Sequence, residues 1–507
     1  MKNLIVFASV RSLLFWIKEN FLLSLTLFLV VFIPLWPKIP LFQPIPGYIV
    51  RVRLEDLFVG IASLVWLAQV VRKKIPYKTP LNIWMELYLV VGFLSLLSAM
   101  FVIKTFPILF THVAKAFLVW LRYIEYFTLF FFAYASIKKP SHAQLLLSAF
   151  FLTVIGAAFY AVGQKYWQWP VYSTMTWEFS TGIALELASP FARVQSTFAG
   201  HYDFAIFLDL LLPFLLISFF ANSARNKKKN IFLGAILTMA IWSLIVSGLR
   251  SAFIGFLLTI PITALLTIFS PVKIPLRSVI TKLSMICVLT ALLFLLFGSN
   301  LFALLNQTIN RAASKDVIAQ YELPVPRNQP HLPSENTNAQ PMNLSSCAKQ
   351  HEISLCIRWD SLWPQAVKGF MREPLLGSGF STLNKPDFMH IAEADGVDNN
   401  YLRILGETGV LGFVTFFSII GAALFLAIKK FHSKDRMSSI LSMSYISTIF
   451  CLLFNAFLFD VFASSKVAFT FWALTGLVVG YWINAAPQLP HKESRTSIPA
   501  TSRRLRH

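Results

Sequence analysis

The chain has 507 residues, of which 56% are hydrophobic and only 13% charged, against about 25% charged in an ordinary soluble domain, so a water-soluble globule is excluded. Its formal net charge of +21 is spread over short Lys/Arg clusters between apolar runs, a membrane-topology pattern and not a nucleic-acid patch. Four cysteines are too few for a disulfide framework.

In chain order, about twelve apolar segments are long enough to cross or nearly cross a bilayer. They fall near 20 to 36, 54 to 71, 82 to 103, 117 to 137, 143 to 162, 200 to 221, 231 to 248, 251 to 269, 283 to 302, 409 to 428, 438 to 459 and 467 to 485. An all-α polytopic membrane protein of about twelve transmembrane helices is expected, with one large extracytoplasmic loop of short helices. Basic clusters occupy alternate junctions: Lys2, Arg11 and Lys18, then Arg72 to Lys78, Lys138 and Lys139, Arg225 to Lys229, Lys273 to Lys282, Lys429 to Arg436, and Arg503 to Arg506. By the positive-inside rule both termini are cytoplasmic and the intervening junctions face outward. No small-residue cleavage site follows the first segment, which therefore reads as a retained helix.

The chain divides into membrane helices one to nine (1–302), the extracytoplasmic loop (303–408), helices ten to twelve (409–486) and a basic cytoplasmic tail (487–507). Within the loop, Pro324 to Ser346 is rich in Pro, Asn, Ser and Gln and reads as a disordered insert. After it, Trp359, Trp363, Val367 and Phe370 recur at helical spacing, Pro374 stops them, and Gly377 and Gly379 turn the chain. This predicts an amphipathic helix at the outer interface. Cys287 and Cys451 fall in apolar segments as small core residues. Cys347 and Cys356 share the loop, where pairing requires an oxidising side and a geometry that spacing does not supply.

The chemistry concentrates in VDNNYLRILGETGVLGF, Val397 to Phe413, where a polar turn runs into a membrane helix. Asp398 can cap the first turn, and Asn399, Arg403 and Glu407 follow on one helical face. Gly409 and Gly412 leave room for a close approach to the backbone. Ionisable groups at a membrane are costly and by default suggest function. Arg193, in FARVQSTFAGHYDF, precedes a segment carrying His201 and Asp209, and Arg250 occupies the tight turn in VSGLRSAF. With Arg403, three guanidiniums reach one outer rim, and their planar forks suit phosphate oxygens.

Each group also has a plainer reading. Arg403 with Glu407, and Arg122 with Glu125, have the spacing of simple helical ion pairs. Arg193 can anchor a helix end, His201 can be a hydrogen-bonded helix-end residue, and Asp398 can be only a cap. Asp460 and Lys466 frame the last outward turn and can pair, with a place at the site the lesser reading. Arg250 is harder to explain away, since a turn needing only brevity would take Gly or Asn.

DNNYLRILGETGVLG resembles the membrane-embedded O-antigen ligases and O-antigen polymerases, whose signature is a His, an Asn-like residue, nine variable positions and Gly-x-x-Gly before a transmembrane helix. Asn399, Gly409 and Gly412 match; Asp398 stands where the ligase His would be. RVQSTFAGHYDFA, SGLRSA, RWDSLW and PLLGSGF extend the resemblance over most of the chain from Arg193 onward. It implies an inverting, metal-independent glycosyl transfer, without cofactor, at the outer face of the cytoplasmic (inner) membrane. The donor would be a glycan on a polyprenyl diphosphate, and the acceptor a hydroxyl of lipid A core, a second glycan or a protein. Arg193 and Arg250 match the family arginines that hold the diphosphate. Asp398 would replace His as the acceptor's base, with His390 in reserve, and Arg403, Glu407 and His201 would serve substrate binding.

Two rivals remain beside this. A flippase or transporter of lipid-linked sugars would show two matched halves and polar residues at mid-membrane, whereas the polar groups here cluster at one rim. A peptidoglycan-type polymerase would share the envelope chemistry. No GxxxxGK[ST] and no HExxH is present, so ATP hydrolysis and zinc proteolysis have no support. Ligase and polymerase are not separated by the sequence.

The alternating clusters predict that single cysteines at Ser345 and Ser497 differ in access: a membrane-impermeant thiol reagent on intact cells should label the first and spare the second. The reverse pattern would invert the topology.

Overall fold

The computed structural model describes residues 12, 14–45, 51–174, 179–187, 192–223, 225–299, 301–302, 325–326, 358–383 and 396–486. Among these, eleven helices are long and apolar enough to span a membrane, and a shorter apolar helix, α1 (Phe21–Leu35), precedes them. They are α2 (Leu54–Val71), α3 (Asn82–Leu97, continued by a π turn to Val102), α4 (Phe110–Ser136), α5 (Pro140–Trp167), α6 (His201–Ala221), α7 (Lys227–Ser247), α8 (Arg250–Ile268), α9 (Leu276–Phe297), α11 (Asn400–Phe431), α12 (Arg436–Ala456) and α13 (Ser465–Gly480). The amphipathic α10 (Trp363–Arg372) lies before α11. The all-α polytopic architecture expected from the apolar segments is therefore present.

Local sequence sets many of the helix ends. Pro140 opens α5, where its missing N–H would have no partner anyway. Asn226 and Asp435 cap α7 and α12 by accepting the backbone N–H of Lys229 and Ser438. Gly248, at φ 70°, ends α7 in the left-handed conformation.

α6 is the centre of the bundle, with nearly every side chain buried against α7, α8, α12 and α13. α4 lies along α13, so close that a Cβ on Gly476 would stand 2.3 Å from the Phe130 carbonyl, the small-residue contact that membrane helices use. On α2 and α9 the exposed face is apolar, with Leu64, Val71, Val288 and Leu295 turned outward; lipid, not water, is the solvent there. Cys451 is buried as expected, whereas Cys287 is exposed on α9.

Several buried charges are tied down. Arg122 pairs with Glu125 as the spacing predicts, and also with Asp56 of α2. Lys466 does not pair with Asp460: its ammonium donates to the carbonyls of Pro34, Trp36 and Thr197 at 3.1, 2.6 and 2.7 Å. Those three acceptors match its three donors, which is what offsets a desolvation cost of several kcal/mol.

Two short antiparallel pairs stand outside the bundle, β1 (Pro40–Phe42) with β2 (Val52–Arg53) and β3 (Leu185–Glu186) with β4 (Val325–Pro326). The stretch read as a disordered insert thus contains a strand at its start. Its remainder, with Cys347 and Cys356, lies outside the described residues. α10, entered through a π turn (Arg358–Leu362), seats Ala366 and Gly369 toward α11 and leaves Met371, and Trp359 of the turn, exposed.

The decisive irregularity is in α11, where Gly409 has φ 65° and ψ −167°. The helical ladder breaks, and the segment after α10 fills the gap. Val410 and Leu411 donate to the carbonyls of Pro374 and Leu375 at 2.9 and 3.2 Å, while Ser378 and Gly379 donate to those of Gly406 and Glu407 at 2.9 and 3.0 Å. The close approach anticipated for the glycines is made at Gly409 by the chain's own Leu375, whose carbonyl oxygen would lie 2.3 Å from a Cβ there. This stitching fixes how the polar start of α11 meets its membrane-spanning remainder.

Gly409→Ala should therefore lower the thermal midpoint of the detergent-solubilised protein sharply, by about 2 kcal/mol or more from left-handed strain and displaced backbone pairing. Gly421→Ala, on the same helix with nothing within 4 Å of its Cβ position, should be neutral or slightly stabilising. Equal melting of the two variants would remove this role for Gly409.

Candidate active site

At the start of α11 the cap is Asn399, whose side-chain oxygen accepts the Leu402 N–H at 3.0 Å. The expectation that Asp398 caps this helix is corrected. Asn399 has the extended backbone of a cap residue, and Asp398 stands one position earlier in the left-handed region, at φ 53°. Its carboxylate instead receives Nε and Nη2 of Arg358 at 3.1 and 3.0 Å. A left-handed φ is unusual for a residue with a Cβ, and Asn, Asp and His adopt it most readily.

The turn that presents Asp398 is held by Asp460, in the connection between α12 and α13. One Asp460 oxygen accepts the backbone N–H groups of Val397 and Asp398 at 2.8 and 3.3 Å, and the other accepts that of Asn399 at 3.2 Å. Arg403 adds its Nη1 at 3.1 Å and sets Nε 3.5 Å from Glu407. Asn400 accepts the Phe462 N–H at 2.9 Å, a second tie between the same two segments. Sequence reasoning gave Asp460 a framing role and did not single out Arg358. Neither could be found by local pattern, since each meets its partner 40 or more positions away.

These groups open on a cavity of about 550 Å³ whose wall includes Asp398, Arg403 and Asp460 together with Lys38, Arg53 and Arg122 from the first third of the chain. Burial pushes the Asp398 carboxyl up from its ordinary value; Arg358 pulls it back and the Asp460 charge adds to the rise. Lys38, which donates to Glu55 at 2.6 Å, is held below the ordinary lysine value by burial, with Glu55 opposing.

The remaining predicted residues separate into two places. Arg193 donates to His201 at 2.8 Å and lies against Gly248, so these two residues sit at the α7–α8 turn from which Arg250 opens α8. None of the three is on the cavity wall, although Ala199 and Asp203, which flank His201 in sequence, are. The His201 and Tyr202 rings are 3.9 Å apart, and Tyr202 stacks on the wall residue Phe459. Glu407 lies behind Arg403, buried, accepting the Ser381 N–H at 3.2 Å. His390 lies outside the described residues. Arg403 is thus brought to Asp398, while Arg193 and Arg250 form a neighbouring group.

Residues 233–417, from within α7 to the middle of α11, match the family model described as O-antigen ligase. No match is found among curated proteins. The match bears out the family resemblance and supports a membrane glycosyl-transferring enzyme of ligase or polymerase type in surface-polysaccharide assembly, acting in general on a lipid-linked glycan. Arg250, Asp398, Arg403 and Glu407 fall inside it; Arg193, His201, Asp460 and the cavity residues of the first third fall outside.

Asp460→Ala removes the acceptor of three backbone N–H groups and one partner of Arg403. Hydrogen–deuterium exchange of a peptide covering Val397 to Asn399 should quicken by an order of magnitude or more, while peptides from α6 keep their protection. Unchanged exchange at the turn would show that Asp460 does not hold it.

Proposed function

Because the chain carries an O-antigen ligase domain, we propose that it moves a glycan from a polyprenyl diphosphate carrier to an acceptor hydroxyl, with inversion and without a metal, at the outer face of the cytoplasmic membrane. The acceptor is a hydroxyl of lipid A core, of a second glycan chain or of a protein. The observation that carries this reading is the placement of Asp398: a carboxylate on a cavity wall, freed from capping by Asn399, oriented by Arg358 and raised in pKa by burial.

In this reading Asp398 takes the proton of the acceptor hydroxyl as its oxygen attacks the anomeric carbon. The bond from that carbon to the diphosphate oxygen breaks, and the diphosphate leaves with the electron pair. Attack opposite the leaving group inverts the centre. Arg193 and Arg250 hold the diphosphate, where fixed charge stabilises the developing oxyanion. His201, hydrogen-bonded to Arg193, sets its direction. Arg403 and Glu407 act at the acceptor end, Arg403 from the cavity wall and Glu407 by positioning it. A raised carboxyl is the better base near neutral pH, since its proton affinity is closer to the task.

Reconstituted protein with a lipid-linked oligosaccharide tests this directly. Asp398→Asn keeps the left-handed turn and leaves the Asn399 cap alone, yet should lose turnover by about 10²–10⁴-fold. Asp398→His fits the same backbone and should retain measurable transfer with a shifted pH optimum. The acid limb of the wild-type rate profile should lie above the ordinary aspartate range, because the base works only when ionised. Arg193→Ala and Arg250→Ala should each lose transfer by about tenfold or more with insertion intact, and Lys should rescue only in part. An active Asp398→Asn enzyme beside an inactive His390→Ala enzyme would move the base to His390.

A further inference from the structure

The cavity that Asp398 shares has a second side, built from residues before the family-matched stretch. Arg53, at the junction of β2 and α2, is 7% exposed and lines it, and its Nε is buried with no hydrogen-bond partner. The nearby carboxylates are engaged elsewhere: Glu55 takes Lys38, Asp56 takes Arg122, and Asp203 takes the Ser464 hydroxyl. No carboxylate stands within ion-pair distance of the Arg53 guanidinium among the described residues. A guanidinium on a cavity wall, with its Nε buried and unmatched and no carboxylate beside it, is a costly arrangement unless an acceptor arrives.

We propose that Arg53 is the centre of an anion subsite in this cavity, distinct in position from Arg193 and Arg250, which receives an oxyanion of the lipid-linked glycan substrate. The planar fork suits a carboxylate or a phosphate, and Lys38 on the same wall, its charge matched by Glu55, offers no second fork. Two sources supply that chemistry: an acidic sugar of the glycan chain, or the diphosphate of the carrier. The subsite rests on the proposed function for its ligand being a transfer substrate; the binding of an oxyanion at Arg53 does not depend on turnover.

The test is equilibrium binding to the full-length detergent-purified protein, with trigalacturonic acid, its neutral methyl ester and farnesyl diphosphate as probes. Wild type should bind at least one of the two anions and prefer trigalacturonic acid to the ester if it binds that one. Arg53→Gln should weaken the bound anion by about tenfold or more, while Arg53→Lys, which keeps charge and loses the fork, should fall between. Loss for trigalacturonic acid alone assigns the subsite to an acidic sugar, and loss for farnesyl diphosphate alone assigns it to the carrier. Thermal midpoints are measured in parallel; if Arg53→Gln does not fold, Arg53→Lys carries the comparison. Neither anion binding to wild type, or anions binding equally to wild type and the folded variant, overturns the proposal. Absence of transfer by a wild type that shows Arg53-dependent binding would instead sink the proposed function and leave the subsite standing.

Discussion

The carboxylate of Asp460 is the interaction on which the polar end of this bundle depends. It gathers three consecutive backbone N–H groups and a guanidinium, and those donors come from the turn that presents Asp398. Hydrogen bonds to a charged group contribute about 1.5–3 kcal/mol each, so several of them match the several kcal/mol that burying a carboxylate costs. Remove the carboxylate and the donors lose their partner while staying buried. The same anion therefore fixes Asp398, seats Arg403 and ties the α12–α13 connection to the start of α11.

The second constraint is the break at Gly409. A straight helix would complete its own ladder and give the segment after α10 nothing to pair with. Because the ladder opens, Pro374 to Gly379 becomes part of α11, and the preceding helix is brought within reach of the site. Arg358, which opens the π turn (Arg358–Leu362) that leads into α10, then meets Asp398. One glycine conformation and one carboxylate together convert three separate segments into one surface.

These facts mark what was legible in the sequence. Apolar length alone located the twelve segments, since a bilayer demands it, and Asn399, Gly409 and their spacing pointed to the polar start of a membrane helix. The cap was misassigned because Asp398 and Asn399 are both good cap residues; only the backbone decides, and it put Asp398 in the left-handed region. The Arg122–Glu125 pair was readable at i, i+3, but its third member, Asp56, lies 66 positions away. Asp460 looked like the partner of Lys466 because they are close in sequence. The structure gives Lys466 three carbonyls instead, one of them that of Pro34 in the last turn of α1, where carbonyls have no partner within the helix. Local periodicity reports on which face is apolar, and it is silent on long-range partners of polar groups.

The division of labour along the chain follows from the same geometry. The stretch matching the O-antigen ligase family ends within α11, and it supplies the proposed base, Asp398, and the guanidinium at Arg250. The cavity that Asp398 faces is lined also by Lys38, Arg53 and Arg122 before that stretch and by Asp460 after it. The matched stretch thus shares the cavity wall with helices that flank it. Of the wall charges from the first third, Lys38 and Arg122 are matched to Glu55 and Asp56, while Arg53 keeps an unmatched Nε, so an exchange there unpairs a buried charge or removes the open donor, unlike an exchange among the apolar residues around α6. On the proposed reading, the first third of the chain bears on which substrate is accepted, and the stretch from Arg193 to Asp398 on the bond-making step.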